Sequence, residues 1–332
     1  MASRSGTYMA KIPCLIDCDT GMDDAIALIC ALLSQDRLDL KAITTVAGCV
    51  EVDKTSRNTL NIVDSLGSQI PVIRGAEAPL QRELYVAISH GTSGLGDVVV
   101  PEAKRALQEM DAVDMIYRCA VECEGKLQLL VTGPLTNVAK ALTRYPAITS
   151  LIEKITIMGG ALRGGNMTQA SEFNIWVDPE AADIVFRSGI SLTMVGLDVT
   201  LKTELPQYVY EQVRAMDNPF ASLAADVFSY MMRRNSLTGV SLYGSVELDP
   251  AHMHDVLAMA VVVRPDLIKT EPHYIEVELA GSCTRGMTVA DFNDVMNKQP
   301  NVDAAVDVDL DAFWAWMLEL LEHGPKRIAG RI

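Results

Sequence analysis

The stretch Ile12-Pro13-Cys14-Leu15-Ile16-Asp17-Cys18-Asp19-Thr20-Gly21-Met22-Asp23-Asp24, followed by an apolar run over residues 25–33, decides the architecture. Residues 12–16 are apolar without helical period and read as a buried strand; residues 25–33 read as a buried helix. The acidic cluster therefore falls on a strand-to-helix turn. In an open α/β sheet that turn lies at the carboxyl end of a strand, where such folds take their ligands. Asp17, Asp19, Asp23 and Asp24 repel one another and are costly to desolvate, so a cation or a shared proton has to hold them together. A hard cation with oxygen ligands, Ca²⁺ or Mg²⁺, suits that set. The plainer alternative is a polar turn in which Asp23 or Asp24 caps the helix. The tight apolar flanks weigh against it.

Outward from this turn, strand and helix alternate. Residues 40–46 read as a second strand, 52–66 as a helix ending at Gly67, and 71–73 as a short third strand, the signature of a parallel sheet. Residues 75–101 form a long loop containing His90-Gly91-Thr92-Ser93-Gly94, and loops of that length are often lids or binding loops. Ser93 lacks the G-x-S-x-G setting of an activated nucleophile. Further on, a helix over 113–122 leads to a strand at 127–131, then to Thr132-Gly133-Pro134, with Pro134 at the first position of a helix. A strand at 155–158 runs into the glycine-rich segment Gly159 to Gly165, which carries no G-K-[ST] phosphate loop. Residues 191–195 read as a strand, and 206–234 as two helices broken at Asn218-Pro219. Residues 235–253 read as a second mobile loop, followed by Asp255 at the start of an apolar helix over 256–263, where a simple cap is the bland reading. A half-buried strand over 274–279 and an amphipathic helix over 313–321 complete the chain.

The 332 residues carry a net charge of −15, which argues against nucleic-acid backbones and anionic membranes as partners, since those need basic patches. A small neutral or cationic ligand fits better. Seven cysteines without paired spacing argue against a disulfide framework, and Cys119 with Cys123 lacks a second pair to complete a zinc site. Residues 1–11 lack the apolar core of a signal peptide and no run reaches membrane-spanning length, so a cytoplasmic setting is expected. We expect an N-terminal extension over 1–11 and one α/β domain over 12–328: an open, mostly parallel, Rossmann-like sheet with helices on both faces and a helical C-terminal part.

The acidic stretch resembles the D-x-D-x-G-x-D-D fingerprint of the inosine-uridine-preferring nucleoside hydrolases. The resemblance continues in order through His90-Gly91, Val131 to Asn137, Met158-Gly159-Gly160, Asn166, Glu172-Phe173-Asn174, Asp178 to Ala182 and His254-Asp255. It implies hydrolysis of the N-glycosidic bond of ribonucleosides, purine nucleosides such as inosine and guanosine first and uridine in addition, by a homodimer or homotetramer. It also implies a Ca²⁺ held by Asp19, Asp24, Asp255 and the main-chain carbonyl of Thr132. By matching position, Asp23, Met158, Asn166, Glu172 and Asn174 would grip the ribose, His90 would line the base pocket, Asp19 would take a proton from water, and His254 would face the leaving base. The chain departs from many relatives at Cys49, where they carry Asn. Two other classes stay open: a haloacid-dehalogenase-like phosphatase, in which the first Asp of D-x-D attacks phosphorus, and a non-catalytic Ca²⁺-stabilised binding protein.

Overall fold

The computed structural model describes residues 10–237 and 251–329. Its elements follow the alternation in the sequence: β1 (Ile12–Cys18), α1 (Met22–Leu33), β2 (Leu38–Thr45), α2 (Val52–Ser65), β3 (Val72–Arg74), α3 (Ala112–Glu122), β4 (Leu127–Val131), α4 (Thr136–Arg144) and β5 (Ile152–Met158). Then come α5 (Phe173–Val177), α6 (Pro179–Phe186), β6 (Leu192–Val195), α7 (Leu197–Thr200), α8 (Gln207–Ala215), α9 (Pro219–Leu237) and α10 (His254–Val263). The chain closes with β7 (Ile268–His273), β8 (Ile275–Val277), β9 (Thr288–Ala290), β10 (Val302–Val308) and α11 (Leu310–Ala329).

Eight strands form one sheet in the order β3-β2-β1-β4-β5-β6-β10-β7, parallel throughout except for β7 against β10. From β1 the chain winds outward through β2 and β3, then returns to the other side of β1 with β4 and winds away through β5 and β6. The reversal lies between β1 and β4. A crevice opens at such a switch point, outside the carboxyl ends of the strands. The turns after β1 and after β4, carrying Asp19 and Thr132, both end there.

Two apolar cores cover the two faces of the sheet, as continuous Val, Ile and Leu strands require. Every residue of α1 is buried, because α2, α9, α10 and α11 all pack against it. The break at Asn218-Pro219 is where expected: Asn218 Oδ1 accepts the Ala221 N–H at 3.0 Å and starts α9.

Several sequence expectations shift. α1 begins at Met22, so Asp23 and Asp24 lie inside its first turn. α4 begins at Thr136, two residues after Pro134. The strand expected over 274–279 is the three-residue β8, which pairs with β9 in a separate small sheet. The main sheet instead gains β10 and β7, whose sequences Val-Asp-Ala-Ala-Val-Asp-Val and Ile-Lys-Thr-Glu-Pro-His are too polar or too small to announce buried strands. Of the loop expected over 235–253, residues 238–250 lie outside the described residues and α9 runs on to Leu237. Residues 251–253 are not loose: they are buried and pair with residues 203–205. No helix among the described residues is long and apolar enough to cross a membrane.

Candidate active site

The acidic turn is built by the strand that precedes it and the helix that follows. Asp17, the last residue but one of β1, points away from the crevice, fully buried, with Oδ1 accepting Thr44 Oγ1 at 2.5 Å and Asn137 Nδ2 at 2.8 Å. Asp19 lies beyond the strand end, and its Oδ2 accepts the Cys49 N–H at 2.6 Å. The chain at Gly48 comes so near that a Cβ there would overlap the Asp19 carboxylate, so only glycine lets the β2 loop approach. Asp24 Oδ2 accepts the Gly21 N–H at 3.0 Å, while Oδ1 accepts Thr132 Oγ1 at 2.7 Å. The capping alternative is thus true of Asp24 as far as it goes; the same carboxylate also belongs to the cluster. Asp255 is not a cap: α10 begins at His254 with Met253 in the cap position, and Asp255 sits in its first turn, buried.

Two triads of ligating side chains share Asp24. In one, an atom each of Asp19, Asp24 and Cys49 lie within 4.8 Å of one another; in the other, Asp23, Asp24 and Asp255 do. The carboxylate oxygens among them are close enough for one cation to span at ordinary metal–oxygen distances of about 2.3–2.6 Å.

Beside them opens a cavity of about 180 Å³. Of the residues expected in the site, Asp19, Asp23, His90, Thr132, Met158, Asn166, Glu172, Asn174, His254 and Asp255 line it, and Asp24 lies behind them in the triads. Glu172 caps α5: Oε1 accepts the Asn174 N–H at 2.9 Å, and Oε2 accepts those of Gly160 at 3.0 Å and Ile175 at 3.1 Å. Asn174 Nδ2 donates to the carbonyls of Thr132 at 2.8 Å and Met158 at 3.0 Å, tying the ends of β4 and β5 together. The Thr132 carbonyl retains a second lone pair for a cation. Asn166 Oδ1 accepts the Phe173 N–H at 3.0 Å. The Met22 N–H donates to His90 Nδ1 at 3.2 Å, and His254 Nδ1 lies 2.8 Å from Thr200 Oγ1, so each ring is anchored at one nitrogen.

Burial governs the electrostatics. It pushes Asp19 up to about 7 against the opposing Cys49 hydrogen bond. Asp24 and Asp255 stand well above the usual carboxylate range, through burial first and the neighbouring carboxylates second. Glu172 is also raised to about 7 by burial, against its backbone donors. Among the described residues that line the cavity, none is Lys or Arg. Four buried carboxylates without a basic partner, beside a backbone carbonyl, form a donor set that fits a hard divalent cation.

The profile of the inosine-uridine preferring nucleoside hydrolase family matches residues 14–315. The chain belongs to that family. This nucleoside hydrolase is similar to the pyrimidine-specific ribonucleoside hydrolase RihA of Escherichia coli O81 (strain ED1a), at 41% identity over 304 residues, 91% of this chain and 96% of that protein. Among solved structures it is similar to a purine-preferring ribonucleoside hydrolase from Gardnerella vaginalis, with a TM-score of 0.86 and 34% identity over 95% of this chain and 99% of the other. A plant nucleoside hydrolase superposes with a TM-score of 0.86 at 30% identity, covering 94% and 99%. The chain is an enzyme of the N-ribohydrolase type.

The phosphatase alternative needs the first Asp of D-x-D in the site, and that residue, Asp17, is sealed inside the sheet. Sequence reading assigned no role to Tyr85, Met167, Phe173, Met231 or His252, which also line the cavity. Phe173 stands between Glu172 and Asn174 of the family fingerprint, and His252 stands two residues before His254. Tyr85, Met167 and Met231 lie in loops or on a helix with no local signal.

Proposed function

We propose that this nucleoside hydrolase splits ribonucleosides into ribose and free base, for base salvage, with Ca²⁺ held by Asp19, Asp24, Asp255 and the Thr132 carbonyl. The observation that carries the reading is that the Asp19, Asp23, Asp24 and Asp255 carboxylates gather beside one cavity that also contains Glu172, Asn174 and His254. A bound Ca²⁺ supplies positive charge that orients water and the ribose diol and lowers the pKa of that water. Asp19, steadied by the Cys49 N–H, accepts a proton from the attacking water. The sugar gains oxocarbenium character as the bond to the base breaks, and Asp23, Glu172, Asn166, Asn174 and the Met158 edge hold it while the carboxylates stabilise the charge. The electron pair of the broken bond leaves with the base. His254, oriented by the Thr200 contact to its Nδ1, donates a proton to the departing ring, and His90 lines the base side.

Pyrimidine ribonucleosides stand first, because the relatives at 41% identity bear that specificity in their name and no tryptophan lines the described cavity to stack on a purine. Inosine and guanosine, first by the sequence resemblance, are the second reading, favoured by the purine-preferring Gardnerella vaginalis relative. The test is release of ribose from uridine, inosine and 2′-deoxyuridine, with and without a chelator. Chelation is expected to stop release and Ca²⁺ to restore it. Loss of the 2′-hydroxyl should lower kcat/KM by at least ~10³-fold, since sites built for a hydroxyl reject analogues lacking it. Absence of ribose from every nucleoside would sink the reading.

A further inference from the structure

His252 has no assigned part in this chemistry, yet the fold holds it in the cavity. The Leu205 N–H donates to the Ala251 carbonyl at 2.9 Å, Glu204 and His252 form an antiparallel bridge, and the Met253 N–H donates to the Thr203 carbonyl at 3.1 Å. Met253 goes into the core with no exposure, while His252, on the bridge, and His254, at the first position of α10, both line the cavity. Their rings lie 5.3 Å apart between centroids, at 49°. The backbone bridge, the buried Met253 and the Thr200 contact to His254 together fix this imidazole pair beside the group expected to meet the departing base.

We propose that His252 is a specificity-determining residue that donates a ring N–H to the carbonyl oxygen adjoining the glycosidic nitrogen of a pyrimidine base. The proposal rests on the nucleoside reading and deepens it. In a pyrimidine nucleoside the glycosidic N1 is flanked by the C2 carbonyl, so the electron pair released by bond breaking spreads onto O2. In a purine the glycosidic N9 is flanked by ring carbons, and the charge moves to ring nitrogens instead. A donor beside His254 therefore stabilises a departing pyrimidine more than a departing purine. It offers nothing to nitrophenoxide, which has no carbonyl in that position.

The experiment measures kcat/KM of the Ca²⁺-loaded wild type, His252→Leu and His252→Gln on uridine, inosine and p-nitrophenyl riboside. Leu fills the space without a donor, and Gln keeps an N–H. His252→Leu is expected to lose about tenfold or more on uridine, the scale of one hydrogen bond in a buried site, with inosine and the nitrophenyl riboside close to wild type. His252→Gln should recover part of the uridine rate. A second measurement needs no variant: wild type should turn over 2-thiouridine, whose sulfur is a weak acceptor, more slowly than 4-thiouridine. Equal losses on all three substrates, an unchanged uridine rate, or indifference to the position of sulfur would each overturn the assignment. Wild type that cleaves uridine while failing these tests leaves the nucleoside reading standing; wild type that cleaves no nucleoside overturns both.

Discussion

Asp17 and Asp19 are two residues apart and meet opposite fates: the first is bonded to Thr44 and Asn137 inside the sheet, the second faces the cavity. Both carry raised pKa values of about 7, and burial is the main cause in each. Asp19→Asn removes the proton acceptor and weakens a cation ligand, so kcat should fall by about 10²–10⁴-fold while the thermal midpoint stays in the folded range. Normal turnover by that variant would refute the assignment. The raised values also set a pH dependence. Asp17, Asp19 and Glu172 titrate near 4 in an unfolded chain and at about 7 in the folded one. The folded state then holds protons that the unfolded state has lost, so this contribution to stability is full below about 4 and disappears as pH rises through about 7. Chelated protein should melt at progressively lower temperature between about pH 5 and about pH 8, whereas Ca²⁺, by favouring the ionised carboxylates, should flatten the curve. Parallel curves in calorimetry would contradict it. At this scale the carboxylates crowded on the β1 turn are conspicuous in the sequence, whereas Asp255, alone at a helix start, reads as a cap and joins them only through the family resemblance. It could not tell which Asp faced inward, nor bring His252 to the site, since that depends on residues 203–205 pairing with residues 251–253.

Short elements carry much of the site. α5 is five residues long, and the Glu172 carboxylate takes three backbone N–H groups at its start. Its Trp176 receives the Tyr85 ring edge-on at 5.3 Å, and the Arg82 guanidinium lies 5.0 Å from the indole centroid. Arg82 also donates to the Trp176 carbonyl, so the loop that brings Tyr85 to the cavity is fastened to the helix that brings Asn174. Trp176→Ala should loosen that loop and raise KM several-fold with a smaller change in kcat, measured by steady-state kinetics; an unchanged KM would show that the loop holds its place without the indole. Short apolar runs set between helices and turn residues made β1 to β6 legible from sequence, and the 75–101 loop is irregular, as expected, apart from a short turn at Ile88–His90. β7, β10 and α5 were not legible. The edge strand β7, half in water, needs few apolar residues, β10 fills its inner positions with small Val and Ala between aspartates, and a one-turn helix is defined by its cap more than by its period.

Across the whole molecule, α1 is the element that the helical layer is assembled around, and α11 approaches it closely enough that a Cβ on Gly324 would lie 3.0 Å from Leu33 Cβ. Gly324→Leu should therefore overpack the contact and cost about 1–3 kcal/mol, read as a lower midpoint in denaturant with turnover preserved below it. A variant as stable as wild type would show that α11 can move away. The two margins of the sheet have a further consequence. At one lies β3, three residues long, with Arg74 bound to Asp53 and Glu77. At the other lies β7, with Lys269 and Glu271 exposed and Pro272, which has no N–H to give. Short, charged or proline-bearing borders are poor templates for another strand. The sheet is in effect hemmed on both sides: among the described residues neither border offers a second copy of the chain a long row of free backbone groups, so cross-β seeding is disfavoured there.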